Sequence, residues 1–251
     1  MIYDCFTFWN EFDLLEIRLN ELKDVVDQFV ICESNVTFVG NPKPLLLSQR
    51  LSEFKDFNIK LLVFEGKTNP SSAWENEEGQ RNFLINGLTQ CYSNDVVLIS
   101  DVDEIPTTNA VSILPYFHEI VSLEMSVAAY FMNNLHREIK WIHPKALKFH
   151  QINQPLNSIR LGGFSQIIPM AGHHASYLGG TEAIKNKIKN FSHQELNQDF
   201  FLDNVDISFE NNQSFFGEKI HLCPVDPLKI KTLPQYVLKN MKKYKNHFIE
   251  F

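Results

Sequence analysis

Val96-Val97-Leu98-Ile99 is an unbroken apolar run that passes through Ser100 into Asp101, Asp103 and Glu104 and is closed by Pro106. An apolar run of this length bounded by a breaker reads as a buried strand. Its acidic end is the stronger constraint. Two like charges about 4 Å apart repel by roughly 4 kcal/mol at an effective dielectric of about 20, so uncompensated carboxylates there would shift their pKa values or splay into water. Asp101 and Asp103 lie on the same side of an extended chain, because side chains repeat every second residue. Paired oxygen donors suit Mg²⁺ or Mn²⁺, which keep positions open for phosphate oxygens. The alternative is a strand end whose acids face water or cap the next helix.

The residues upstream set the architecture. Ile2 to Phe8 reads as a first strand, and Phe12, Leu15, Leu19, Leu22 and Val26 then recur at helical spacing behind Asn10 as N-cap. Phe29 to Cys32 is a second strand that stops at Glu33-Ser34-Asn35. A loop from Gly40 to Pro44 and a short helix near Ser48 to Phe54 lead to a third strand, Ile59 to Phe64. A long helix over Trp74 to Cys91 then delivers the chain to the acidic strand. Strands alternating with helices imply an α/β fold with a mainly parallel central sheet, whose ligands bind outside the carboxyl ends of the strands. Asn10, Glu33-Ser34-Asn35 and Asp101-Val102-Asp103 all fall at such ends.

Beyond Pro115 the pattern is mixed. Ser122 to Met132 and Ala146 to His150 read as strands, and Ile159 to Ile168 is interrupted by Gly162-Gly163. Met170 to Gly180 holds the pair His173-His174 between glycines, and Thr181 to Phe191 reads as a helix. The tail, Leu233 to Phe251, reads as a helix with lysines Lys239, Lys242, Lys243 and Lys245 on one face.

Composition excludes several classes. At 251 residues, 44% hydrophobic and 21% charged, the chain can bury a substantial core. A net charge of -7 and a pI near 5.7 argue against nucleic-acid binding. Cys5, Cys32, Cys91 and Cys223 show neither Cys-x-x-Cys nor zinc-finger spacing, and fit buried thiols of a reducing compartment. No stretch reaches the ~18 apolar residues of a membrane span, and Met1 to Phe6 lacks a leader pattern, so a cytoplasmic protein is expected. Sequons at Asn35, Asn190 and Asn212 bear only on a secreted chain.

Several motifs coincide in order: Phe8-x-Asn10-Glu11-x-Asp13-Leu14-Leu15-Glu16-x-Arg18-Leu19, Glu33-Ser34-x-x-Thr37-Phe38-x-Gly40-x-Pro42-Lys43-Pro44, Trp74-Glu75-Asn76-Glu77-x-x-Gln80-Arg81-Asn82, Ser100 to Pro106, and Gly172 to Gly180. Together they resemble glycosyltransferase family 17 from about residue 2 to about residue 200. The resemblance implies a GT-A-like nucleotide-sugar-binding fold and a UDP-sugar donor, UDP-N-acetylglucosamine in characterised members. It also implies inverting transfer to a glycan or glycoconjugate hydroxyl. On that basis 1–251 is one domain, with a nucleotide-sugar-binding half (1–120), an acceptor and catalytic half (121–232) and a basic helical tail (233–251).

The chain departs from the family in two places. Animal members carry an N-terminal membrane anchor and luminal domain that the opening residues do not show, so their acceptor is not carried over. Where the family has Trp before the His of the glycine-flanked segment, this chain has His173, a smaller and titratable ring.

Roles follow from both lines of reading. Asp101 and Asp103 are expected to hold Mn²⁺ or Mg²⁺ and the donor diphosphate, with His174, or else His173 or His221, completing the metal shell. Glu104 orients a ligand water or caps the following turn. Asn10, Glu11, Glu33 and Asn35 are expected near uracil and ribose, with helix capping the alternative for Asn10 and Glu11. Arg81, with Asn82 beside it, pairs with phosphate or with Glu77 at i,i+4. Trp74 packs on the donor or in the core. The general base that inversion requires is sought in Glu195, Asp199 and Asp203, with exposed helical acids the alternative. The tail lysines are a solvated face or a weak contact with an anionic membrane surface. Two other readings compete: a catalytically degenerate sugar-binding module, and a phosphatase using Asp101 as nucleophile. The phosphatase motif wants Thr or Val where Ile105 stands.

Overall fold

Strand and helix alternate through the first hundred residues: β1 (Ile2–Phe8), α1 (Phe12–Leu22), β2 (Gln28–Ser34), α2 (Leu46–Arg50), β3 (Ile59–Phe64), α3 (Ala73–Phe83) and β4 (Val96–Asp101). The computed structural model describes residues 1–214 and 222–251. After β4 come β5 (Glu104–Pro106), α4 (Thr108–Ile113), β6 (Val121–Ala129), β7 (Asn134–Trp141), β8 (Lys145–Lys148), α5 (Leu156–Leu161) and β9 (Gln166–Ser176). The last elements are α6 (Gly180–Asn190), α7 (Asp199–Glu210), β10 (Leu222–Pro224) and α8 (Gln235–Lys239).

Alternation of side chains along the inner strands builds two layers. Ile2, Phe6 and Phe8 of β1 join Phe29, Ile31, Val96 and Leu98 on one face, where Leu15, Leu19 and Leu22 of α1 cover them. Tyr3 and Cys5 join Val30, Cys32, Val97 and Ile99 on the other, under Leu84, Leu88, Leu156 and Ile159. Burial on both faces is why these strands read as continuous apolar runs.

The expected α/β architecture holds. The order β3-β2-β1-β4 is parallel throughout, with Thr7 of β1 opposite Asp101 of β4. The second half is mixed: β4 pairs antiparallel with β8, β8 and β7 pair antiparallel with β6, and β10 pairs with β7. β9 runs parallel to β6 and antiparallel to β5, which curls the sheet around the acidic turn after β4. A smaller cluster, Ala129, Tyr130, Ile184, Ile188 and Val205, seats α6 and α7 at the end of β6.

Three segments differ from expectation. The helix predicted over Trp74 to Cys91 stops at Phe83 and tightens into a 3₁₀ turn over Leu84–Gly87. There a Cβ on Gly87 would lie 2.2 Å from a Val30 methyl, so the turn packs directly on β2. The His173-His174 segment, given no element from the sequence, is the inner part of a strand, β9. The tail forms only α8 and a 3₁₀ turn over Lys245–His247, not a continuous helix over 233–251. It is tied to α1: Tyr244 is buried, Tyr236 Oη donates to Glu16 at 2.9 Å, Lys243 Nζ lies 2.6 Å from Glu16 Oε2, and His247 Nε2 lies 2.7 Å from Asp13. Among the described residues no helix is long and apolar enough to cross a membrane.

Candidate active site

The turn that follows β4 is held from beneath by Arg18 of α1, which is fully buried. Its Nε and Nη2 donate to the two carboxylate oxygens of Asp4, at 2.8 and 2.6 Å, and Nη2 also donates to Ser100 Oγ at 2.5 Å. Its Nη1 donates to the carbonyls of Asp101 and Glu104, at 2.7 and 2.9 Å. Five N–H groups thus meet five acceptors, the full capacity of a guanidinium. Glu104 closes the turn from above, since its Oε2 accepts the Asp101 N–H at 2.7 Å. Its Oε1 accepts from Trp141 Nε1 and Arg160 Nη2. The roles expected of Glu104 are orienting a ligand water and capping the following turn; the turn its carboxylate closes is the one before it.

Asp101 is gripped on both oxygens, by Arg81 Nη2 at 2.9 Å and by Arg160 Nη2 at 2.8 Å. Arg81 also reaches Glu77 Oε1 at 3.0 Å and Asn157 Oδ1 at 2.6 Å, so the i,i+4 pair with Glu77 is formed. Burial works against charge on Asp101, but Arg160 and Arg81 outweigh it and bring its carboxyl down to about 2. Asp103 faces Lys187 Nζ of α6 at 3.4 Å and His174 Nε2 of β9 at 3.7 Å. Burial again opposes ionisation, yet Lys187 and His174 hold Asp103 well below the ordinary carboxylate value. Glu104 moves the other way: burial raises its carboxyl, and Asp101 adds to this against Arg160. Two buried acids and the half-buried Asp101 are therefore answered by three cations, Arg81, Arg160 and Lys187. In this structure the chain itself supplies the neutralisation that the sequence reading assigned to a metal.

The expected metal ligands divide. Asp103 Oδ2 and His174 Nε2, 3.7 Å apart, are within the ~4.2 Å that separates two ligands at about 2.1 Å from one small cation, and both line the cavity. Asp101 is more fully engaged, each of its oxygens accepting from one guanidinium. Among the described residues no three His, Cys, Asp or Glu side chains gather around one metal position. His173 points away from the cavity into the core, because neighbours on β9 face opposite sides; it is fully buried, with Nδ1 3.4 Å from Thr232 Oγ1. His221 lies outside the described residues.

Above these residues opens a cavity of about 730 Å³, lined also by Thr7, Phe8, Trp9, Glu11, Trp141 and Tyr177. Trp74 stands at its rim with its ring edge-on to His193, centroids 4.7 Å apart.

Other expected site residues do different work. Glu33 is buried and caps α2, accepting from Leu47 N at 2.8 Å and from Ser48 N and Oγ at 3.0 Å each. Asn35 is exposed and accepts from Gly66 N at 3.0 Å, and Asn10 is exposed and makes no side-chain cap. Glu11 is the N-cap residue of α1, and its carboxylate turns back to the N–H groups of Trp9 and Asn10 at 3.0 Å. Asn82 receives Asn157 N at 2.9 Å, which locks α5, the carrier of Arg160, onto α3.

The acids proposed as general base are not in the cavity wall. The Glu195 side chain is 63% exposed and pairs with His193 Nδ1 at 2.6 Å. Asp199 lies in the first turn of α7, where the helix end favours an acid, and Asp203 faces solvent while Val205 faces the core. Carboxylates that do line the cavity are Glu11, Glu77, Asp101 and Asp103. Sequence reading missed Arg160, Lys187, Trp141 and Arg18 as parts of the site. The available signal was stoichiometric: three clustered acids need three cations, and the chain has only five arginines.

A cavity outside the carboxyl edge of a parallel sheet, floored by paired acids and cations, occupies the usual ligand position of such folds. A family model described as Glycosyltransferase family 17 matches residues 1–210, and the chain belongs to that family. It is 28% identical to the β-1,4-mannosyl-glycoprotein 4-β-N-acetylglucosaminyltransferases of Rattus norvegicus and Homo sapiens. These matches cover 94% of this chain and 52% of each relative, so the chain spans about half the length of the curated relatives it matches. Among solved structures, S. aureus TarS 1-349 covers 98% of this chain and 78% of its own, at 12% identity and a TM-score of 0.36. The Francisella tularensis 2-C-methyl-D-erythritol 4-phosphate cytidylyltransferase covers 76% and 99%, at 9% identity and a TM-score of 0.43.

Proposed function

We propose that this chain is an inverting glycosyltransferase that moves a sugar, N-acetylglucosamine, from a UDP-sugar to a glycan hydroxyl in β linkage. The observation that carries the reading is the convergence of Asp101, Arg81, Arg160, Asp103, His174 and Lys187 on one cavity at the strand ends, in a chain of this family. Lys187 and the guanidinium groups suit a diphosphate, which needs fixed positive charge most as it leaves. A divalent cation, Mn²⁺ or Mg²⁺, is part of the proposal, with Asp103 and His174 as its protein ligands. When bound it would offset charge on the departing diphosphate.

Inversion needs a base facing the acceptor hydroxyl. We assign it to Glu77, which lines the cavity and has one carboxylate oxygen outside the hydrogen bond that fixes the other. The relatives named above act on a β-1,4-mannosyl glycoprotein by their names, and a glycan acceptor is proposed here on that likeness.

Thermal melting tests the donor side. UDP with Mn²⁺ should raise the midpoint of the wild type more than UDP alone, and Asp103→Asn and His174→Gln should abolish the metal-dependent increment. A midpoint unmoved by any nucleotide diphosphate, with or without metal, would sink the reading.

A further inference from the structure

Among the described residues, Lys43 is the cation of the cavity wall that has no protein acceptor: Arg81, Arg160 and Lys187 all hold carboxylates, whereas Lys43 Nζ is buried with none. The loop that carries it is fixed. Val36 bridges Pro42, Lys43 N–H donates to Asn35 O at 2.9 Å, and Asn76 Nδ2 donates to the carbonyls of Thr37 and Phe38 at 3.4 and 3.2 Å. Gly40 takes φ +94°, and a Cβ there would meet Thr68 O at 2.5 Å, so only glycine lets the loop close this tightly.

The acids near Lys43 are already committed. Glu33 caps α2 and Glu11 turns back on Trp9 and Asn10. Burial accordingly lowers the Lys43 ammonium from its ordinary value, with Glu33 and Glu11 opposing only in part. A buried ammonium without an acceptor is costly, and a fixed loop that maintains one leaves a position for a ligand to fill. Lys43 lines the cavity, and its stem of rotatable bonds lets the buried Nζ turn toward a bound group.

What group that is follows from position and donor type. Arg81, Arg160 and Lys187, at Asp101 and Asp103, are the cations assigned to phosphate. Lys43 instead follows the Val36–Pro42 bridge, and Val36 and Phe38 of its loop, with Phe8 and Trp9, line the wall with surfaces suited to a flat heterocycle. An ammonium only donates. A ring carbonyl satisfies it, whereas an exocyclic amino group would set donor against donor.

We infer that Lys43 reads the nucleobase of the donor, its ammonium donating to the 4-carbonyl oxygen of uracil and rejecting the 4-amino group of cytosine. This rests on the nucleotide-sugar reading above and adds a base-discriminating residue to it.

The test is calorimetric binding of UDP, CDP and uridine to the wild type, Lys43→Met and Lys43→Gln. Wild type should prefer UDP over CDP at least about tenfold, and Lys43→Met should weaken UDP by about 10- to 100-fold, the worth of a hydrogen bond to a charged group. CDP should bind no more weakly, because the donor that opposed its amino group is gone, and the loss with uridine should equal the loss with UDP. Lys43→Gln, whose amide can donate or accept, should bind the two diphosphates alike. Both variants should melt no lower than wild type, since an unpaired buried charge is removed.

Unchanged UDP affinity in Lys43→Met overturns the inference alone, as does equal weakening of UDP and CDP. A loss seen with UDP but absent with uridine makes Lys43 a phosphate contact and also overturns it. Wild type that binds neither diphosphate overturns the donor reading and this inference together.

Discussion

Arg18 aims every N–H group it has at the turn presenting Asp101 and Asp103, or at Asp4 and Ser100 beneath it. Removing one partner of a buried pair leaves the other charge uncompensated, so Arg18→Met should cost about 3–5 kcal/mol of stability. Urea denaturation would read this as a lower midpoint at an unchanged slope, and an unchanged midpoint would contradict the role. The double variant Asp4→Leu/Arg18→Met should recover part of the loss, because replacing a whole buried pair by apolar groups is often nearly neutral. Asp101 and Asp103 were legible because a local pattern, an apolar run ending in acid, announces a charge problem. The cations that solve it were not. Arg160 comes from 59 residues away and Lys187 from 84, and no local period encodes a contact of that range. Glu33 and Glu195 misled for the converse reason: an acid at a strand end or beside a histidine has the same local sequence whether it caps a helix, pairs on the surface or faces a ligand.

On β9, adjacent histidines have opposite fates because a strand turns successive side chains to opposite faces: His174 lines the cavity and His173 fills the core. Gly172 is needed inside this strand, where a Cβ would lie 2.6 Å from Ile105 O of β5. The departure at His173 therefore alters core packing, not a sugar-facing wall. It also carries a pH dependence. Burial brings the His173 imidazole down to about 4, with His174 adding to the fall, and burial brings His143, beside Trp141, to about 4 as well. Both values lie below the ordinary 6.5, so between about pH 6.5 and 4 the unfolded chain binds protons that the folded chain does not. Stability should fall as pH drops through that window. Asp101, held at about 2 by its arginines against burial, should add a further loss below about pH 4. Urea midpoints at pH 7, 6 and 5 check the first window. His173→Leu should flatten the slope there, and a midpoint that rises on acidification would contradict the assignment.

At the scale of the molecule, the parallel half was legible because its strands are apolar on both faces and its crossovers are helices of ordinary length. The second half was not. β7 is largely exposed, and β5 and β10 are each 3 residues long, too little for any hydrophobic period to register. Yet β7 and β9 close the cavity: they carry Trp141 and His174 against the acidic turn, which the first half alone leaves open on one side. The central claim is that this composite cavity transfers a sugar from a UDP donor using Asp103. The most direct measurement is release of UDP from UDP-N-acetylglucosamine in the presence of Mn²⁺ and a glycan panel. Wild type and Glu195→Gln should turn over alike, and Asp103→Asn should lose at least about 100-fold, the scale of removing one preorganised electrostatic contact. Undiminished release by Asp103→Asn, or no release from any UDP-sugar by the wild type, would contradict the account.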